Sequence, residues 1–254
     1  MSLFRKRVNR VDEENPYWMS FSDVMSALLI IFILASVVLI VQLLEFQEEL
    51  KKQQMDFNQE IRELQRAEEI RRTILHETAE LLQKRGIRVT VSENDTVLSI
   101  PNEILGFSTS EFDISQAFQG TALEIGEVLS EVIRREDRID FLDTIFVEGH
   151  TDIRPFRGFM GKGNWGLSSF RAISLWQLWD EKLSESNQLS GLRNKDGQLL
   201  FSVSGYGPTR PVTESQDTEE ELSANRRIDI RFTIRRPSVA EYQRISDSLG
   251  EVIQ

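Results

Sequence analysis

Two groups of residues have the types and spacing to do chemistry. The first is Asp23, a carboxylate at the edge of the apolar run VMSALLIIFILASVVLIVQLL, Val24 to Leu44. A carboxylate in or beside a membrane span is costly and usually faces a partner helix or an ion path. The second is Glu148, His150 and Asp152, which alternate. An extended backbone would aim all three to one side, as metal ligands require. His76 is the only other histidine, though, and there is no cysteine, so no further ligand of either kind comes from nearby. The lack of cysteine also removes disulfide scaffolds and thiol nucleophiles. No Ser/His/Asp spacing or separated carboxylate pair has a hydrolase arrangement. The loop Gly158–Gly166, GFMGKGNWG, is glycine-rich but lacks the G-x-x-x-x-G-K-[ST] order of a phosphate cradle. It reads instead as an insertion near a ligand rim. The expectation is a protein that is not an enzyme and that needs no metal and no cofactor.

The elements that must position these residues start with a membrane helix. Twenty-one residues from Val24 to Leu44 span about 30 Å as a helix, the thickness of a bilayer core. The run is longer than a signal-peptide core of about 7–15 residues, and EFQEELKK rather than a small-residue cleavage site follows it. Arg5, Lys6, Arg7 and Arg10 precede it, and Glu45, Glu48 and Glu49 follow. Positive charge stays inside, which puts the N-terminus in the cytoplasm and, in a bacterium, the C-terminal part in the periplasm beyond the inner membrane. Tyr17 and Trp18 would sit at the inner headgroups. Ser20 and Asp23 also stand at capping-box spacing, so position alone leaves Asp23 open between helix cap and ion carrier.

The whole chain has 254 residues, with 30 Lys plus Arg against 41 Asp plus Glu and a net charge of -11. An acidic surface repels a phosphate backbone, so direct nucleic-acid binding is disfavoured. The expected organisation is a cytoplasmic segment (1–20), the membrane helix (21–44), a helical connector (45–85), an α/β domain (86–237) and a tail (238–254) that is a short helix or disordered. In the connector, Leu43, Leu50, Phe57 and Leu64 recur every seventh residue, each followed three residues on by Phe46, Gln53, Glu60 and Ala67 in turn. That pattern fits a short, imperfect parallel coiled coil, against the alternative of a solvated single helix. A second stripe, Ile70, Ile74, Leu75, Thr78, Leu81 and Leu82, ends at Gly86 and suits a first helix packed on the domain.

Beyond Gly86 the sequence predicts a hairpin around Asn94-Asp95, a helix over 115–135, a strand over 144–147, a helix over 167–183, and strands over 199–203 and 227–234. This order gives an α/β sandwich with helices on one face. Trp165, Trp176 and Trp179 are expected in the core or in a pocket wall.

Glu148-Gly149-His150-Thr151-Asp152, Asn164, Leu167-Ser168, Arg171-Ala172, Gly205-Tyr206-Gly207, Pro211 and Asn225-Arg226-Arg227-Ile228-Asp229-Ile230 follow one another along the chain. Together they resemble the OmpA/MotB C-terminal domain pattern, and domains of that family bind peptidoglycan. The resemblance implies that Asp152 and Arg171 clamp the diaminopimelate of the stem peptide, and that Thr151, Phe107 and Leu167 line the pocket. Diaminopimelate ends in an ammonium and carboxylates, so an anion and a forked cation suit it. Without the resemblance, an Asp152–Arg171 pair that pins a loop is the simpler reading. Asn225 and Arg226 look structural, positioning the last strand behind the pocket, and His150 looks packed.

Trp18, Asp23 and Met25 also fit the W-x-x-x-x-D-x-M pattern of MotB-type stator subunits. This resemblance makes Asp23 the ion carrier, protons being favoured over sodium. It implies a homodimer of this chain inside a ring of a MotA/ZorA-like multi-pass membrane subunit, anchored to peptidoglycan. Asn15 to Met25 is most similar to the ZorB type of the Zorya anti-phage systems. A flagellar stator and a passive wall-anchored membrane protein are the alternatives.

Overall fold

The computed structural model describes residues 16–108, 111–158 and 161–236. The basic segment before the helix and the tail after Pro237 lie outside them. The chain divides into two units, Met1–Asn58 and Gln59–Gln254, each taken by itself below.

Helix α1 (Pro16–Lys84) begins on a proline, whose fixed φ suits the first helical position. Within the first unit its apolar side chains, Phe21 and Val24 through Leu44, are exposed. Among the described residues, this helix alone is long and apolar enough to cross a membrane. The hydroxyls of Ser26 and Ser36 donate to the carbonyls of Ser22 and Phe32 one turn back, both at 2.8 Å. They therefore need no water. Leu43, Phe46, Leu50 and Phe57 are exposed as well. Asp23 stands seven residues after the helix start, not at its cap, so the capping alternative does not hold.

The second unit opens with residues 59–84 of α1. Ile74, Leu75 and Leu82 are fully buried in the core of the α/β domain. Ala67 is 2% exposed, so this last residue of the heptad series packs within the unit and not in a seam between copies. The unit therefore reaches back to Gln59, well before Gly86. Gly86 ends the helix at φ +80°, and Ile87 N donates to Leu82 O, the left-handed stop a glycine permits.

Next come β1 (Thr90–Val91), β2 (Val97–Pro101), α2 (Asn102–Leu105), α3 (Gln116–Ile133), β3 (Leu142–Gly149), α4 (Gly163–Lys182), β4 (Phe201–Gly205), α5 (Glu219–Asn225) and β5 (Arg227–Ile234). The sheet order is β1-β2-β5-β3-β4. β3 and β4 run parallel through α4, and the other neighbours are antiparallel. Period-2 alternation divides the faces. Leu98, Ile100, Ile145, Val147, Ile228, Ile230 and Phe232 are buried in the core with Ile125, Val128, Leu129, Leu175 and Trp179 of α3 and α4. Trp179 is fully buried, and its indole N–H donates to Ala122 O at 2.7 Å. Trp176 stacks on Phe201 with centroids 5.3 Å apart.

Two boundaries and two short helices differ from the sequence expectation. α4 starts at Gly163 rather than Leu167, so Gly163–Gly166 is helix and not loop. β4 starts at Phe201, because Leu199 is exposed and makes only an isolated bridge with Arg193. The short helices α2 and α5 were not anticipated; α5 is secured by a capping box between Thr218 and Glu221.

The ends of β3 and β4 meet the first turns of α4 at two glycines. A Cβ on Gly149 would fall 1.9 Å from the Ser168 carbonyl oxygen, and one on Gly205 would fall 2.3 Å from Ser169 Oγ. The first contact is backbone and cannot swing away. Gly149→Ala is expected to cost at least about 3 kcal/mol of stability, checked as a fall in thermal midpoint by circular dichroism.

Candidate functional site

The close strand–helix contact places a loop above the sheet edge. Thr151 N donates to Gly207 O (3.0 Å), and Gly207 N donates to Ser168 Oγ (2.9 Å). Three motif fragments far apart in sequence are thus tied together. Beside them lies a cleft of about 280 Å³ lined by Phe107, Thr151, Asp152, Leu167, Arg171 and, among others, Arg226. All five residues expected at a pocket share this one cleft.

Asp152 and Arg171 do not bond to each other. The Asp152 side chain is 9% exposed. Its Oδ2 accepts from Arg154 Nε (3.0 Å) and Nη2 (2.6 Å) and from Arg226 Nη1 (2.8 Å), and its Oδ1 accepts from Arg154 N (3.1 Å). Arg171 is 3% exposed. Its Nε donates to Glu111 O (2.9 Å), its Nη2 to Ser108 O (3.1 Å), and its guanidinium carbon lies 5.2 Å from the Phe107 ring centroid. Among the described residues, no carboxylate forms an ion pair with it. Burial, with repulsion from Arg226, lowers its pKa to about 10, against the opposing pull of Asp152. It remains a cation at neutral pH, held among neutral acceptors.

Arg226 is a correction: expected to be structural, it lines the cleft and bonds Asp152 directly. Its Nη2 donates to Glu219 Oε1 at 2.8 Å, and Arg154 Nη1 donates to Glu219 Oε2 at 3.1 Å. Asn225 is fully buried and holds Val212 N and Thr213 O, a structural role. Arg154 and Asn102 were also missed. Arg154, two residues after Asp152, reaches back onto it, a short-range pattern that sequence could have suggested. Asn102 follows β2 with no motif to mark it. Its Oδ1 and Thr151 Oγ1 are buried without a hydrogen-bond partner among the described residues. Both line the cleft, and buried polar atoms of this kind call for a partner. Asn164 closes one wall: its side chain accepts from Phe156 N and donates to Arg154 O. Trp165, by contrast, is 54% exposed and is in neither core nor cleft lining.

The alternating carboxylates separate. Asp152 leaves the sheet after β3 ends, and Asp229 takes its place beside Glu148 and His150, with ligand atoms within 4.8 Å of one another. These carboxylates already have cations. Arg231 clamps Glu148 at 2.8–3.0 Å. Arg227 clamps Asp229 at 2.9–3.1 Å. His150 Nε2 is 3.1 Å from Asp229, and its ring stacks on Tyr206. The arrangement is a charge-balanced lock on the strand ends rather than a ligand set that waits for a metal.

Burial works to raise the Asp152 carboxyl, but the hydrogen bonds from Arg154 and Arg226 prevail and hold it below the ordinary range. At Asp229, burial is likewise outweighed by His150 and Arg227. Each folded pKa is depressed, so each contribution is complete above the unfolded value of about 3.9 and is lost as pH falls through the folded one. The thermal midpoint is expected to be level from pH 7 to about 5 and to fall steeply below about 4, as followed by circular dichroism.

The structure thus defines a class: a long apolar N-terminal helix, and an α/β domain with a cleft holding an anion and a buried cation. No family model matches the chain. It is 34% identical over 86 residues to the uncharacterized protein YtxE of Bacillus subtilis (strain 168), a match covering 34% of this chain and 31% of that one. The matched region is thus under a third of that relative's length. Similar solved structures include a putative MotB-like protein from Desulfovibrio vulgaris (18% identity, 67% of this chain, 98% of that one, TM-score 0.48). The periplasmic domain of Helicobacter pylori MotB is another (22%, 66% and 92%, TM-score 0.46). A third is the cell wall anchor of the T6SS from Pseudomonas aeruginosa (21%, 63% and 97%, TM-score 0.45).

Proposed function

We propose that this chain is the wall-anchoring, ion-carrying subunit of an inner-membrane motor. Arg171 is the observation that carries the anchoring half. A desolvated guanidinium that, among the described residues, is hydrogen-bonded to neutral carbonyls alone is short of an anion, and it shares its cleft with the Asp152 carboxylate. A zwitterionic amino-acid terminus suits both, and the diaminopimelate of a peptidoglycan stem peptide has one. Its carboxylate takes Arg171, its ammonium takes Asp152, and Asn102 and Thr151 gain the partners they lack. Phe107 and Leu167 pack on the methylene chain.

The motor half rests on Asp23 in its W-x-x-x-x-D-x-M setting on an apolar helix. One helix makes no channel, so a second copy of this chain and a ring of a MotA/ZorA-like multi-pass subunit complete the path. The N-terminus is cytoplasmic and the α/β domain periplasmic. Protonation neutralises a carboxylate that is expensive to keep charged in lipid, and the changed pairing turns the ring against the wall-held axle. Asn15 to Met25 favours a Zorya-type anti-phage machine. The test is retention of the full chain in detergent on diaminopimelate-containing sacculi, together with the biological effect of removing the Asp23 carboxyl. Failure to pellet with sacculi removes the anchoring half.

A further inference from the structure

We infer that Arg154 is a built-in competitor for the amine position, and that it makes the cleft select ligands whose amine is accompanied by a carboxylate. The inference rests on the diaminopimelate reading above and goes beyond it to specificity.

Asp152 has little acceptor capacity left for an incoming ammonium. Arg154 supplies two side-chain hydrogen bonds to Oδ2 and a backbone one to Oδ1, while Arg226 supplies another to Oδ2. Something must yield, and exposure decides which. The Arg226 side chain is 19% exposed, whereas that of Arg154 is 51% exposed. Arg154 also has a second carboxylate to stay with. Its Nη1 already donates to Glu219, which is 63% exposed and fixed from the other side by Arg226. The guanidinium can therefore leave Asp152 and remain paired at the rim.

Charge then sets the selection. Arg154, Arg171 and Arg226 face Asp152 and Glu219, a surplus of one positive charge. An ammonium that enters alone raises this surplus in a largely desolvated space and meets a guanidinium on its acceptor. An ammonium that enters with a carboxylate leaves the surplus unchanged and satisfies Arg171. Rejecting the lone amine by an occupied acceptor is selection through a repulsive element.

The experiment is isothermal titration of the full chain in detergent with two stem peptides, L-Ala-γ-D-Glu-diaminopimelate and L-Ala-γ-D-Glu-L-Lys. The wild type is expected to prefer the first by at least about tenfold. In Arg154→Ala the lysine peptide is expected to tighten by more than the diaminopimelate peptide does, so that the preference falls by about fivefold or more. Arg154→Lys, which keeps the charge, is expected to restore most of the preference. An unchanged or larger preference in Arg154→Ala overturns the inference. So does a preference that falls only because diaminopimelate binding weakens, since Arg154 would then be holding the ligand carboxylate. A parallel loss of both affinities with a lowered thermal midpoint overturns it in favour of a structural role. If the wild type binds neither peptide, the site reading itself fails, and the selection fails with it.

Discussion

Asp23→Asn is expected to abolish the biological output of the proposed motor while leaving the protein in the membrane at its wild-type level. The substitution exchanges one oxygen for an amide nitrogen and keeps size and polarity, so the helix from Pro16 has no steric reason to change. Insertion should not suffer, since a charged aspartate at a helix centre costs about 2.5–3.5 kcal/mol on insertion scales and the amide is neutral. What the amide cannot do is take up and release a proton. The measurement is phage plating and swimming, scored in the native operon beside the wild type, with an immunoblot for protein level. Loss of phage protection with normal accumulation supports an ion-driven defence motor. Loss of swimming instead assigns the chain to a flagellar stator. If neither changes although deletion of the gene has a phenotype, the carboxyl carries no ion and the motor reading is wrong.

The sequence discloses the local patterns better than the assembly made from them. β5 is legible at its ends as well as in its interior, because Ile228, Ile230 and Phe232 alternate with Asp229, Arg231 and Thr233. Its place between β2 and β3 is not, since strand order is decided by pairings far apart in sequence. The heptad series misleads at Ala67 for a related reason. A stripe on a helix looks the same whether it meets a second copy or the helix's own domain, and here residues 59–84 pack on their own domain. Gly163 and Gly166 suggest a loop, yet they are the first turn of α4, where it comes down on the strand ends. In the cleft, Phe107, Thr151, Asp152, Leu167 and Arg171 could be gathered from motifs. Arg226 belongs to a motif as well, but its place in the cleft was not legible: next to a strand, a charged side chain has no local signal for the side to which it turns. The metal-like alternation fails at the residue where β3 stops, because period-2 reasoning ends with the strand.

The second large effect is expected at Arg171, where binding and stability should part company. Arg171→Met keeps an unbranched aliphatic chain of similar reach and removes the charge. For the fold, two opposing changes follow. The carbonyls of Ser108 and Glu111 each lose a charged donor, but both residues are exposed and Ser108 O keeps the bond from Glu111 N, so the cost is at most about 1.5–3 kcal/mol, the worth of a hydrogen bond to a charged group. Against that, a cation whose burial lowers its pKa to about 10 is no longer taken out of water, and replacing a buried charge by an apolar group of similar size is often neutral or better. The net change in stability is therefore expected to stay within about 2 kcal/mol. For the ligand nothing compensates. Its carboxylate would enter a desolvated space without the guanidinium left free for it, because Arg154 and Arg226 are already paired with Asp152 and Glu219, and removing one partner of a buried, hydrogen-bonded charge pair costs about 2–5 kcal/mol, or about 30-fold to several thousand-fold in Kd. Arg171→Lys should recover only part of this, because an ammonium cannot reproduce two parallel hydrogen bonds to a carboxylate. The check is titration of the full chain with the diaminopimelate peptide beside a thermal melt of each variant. A drop in affinity with a preserved melt identifies Arg171 as the carboxylate receptor. Unchanged affinity in Arg171→Met would mean that its hydrogen bonds to Ser108 and Glu111 are its whole purpose, and that the cleft holds its ligand by other groups.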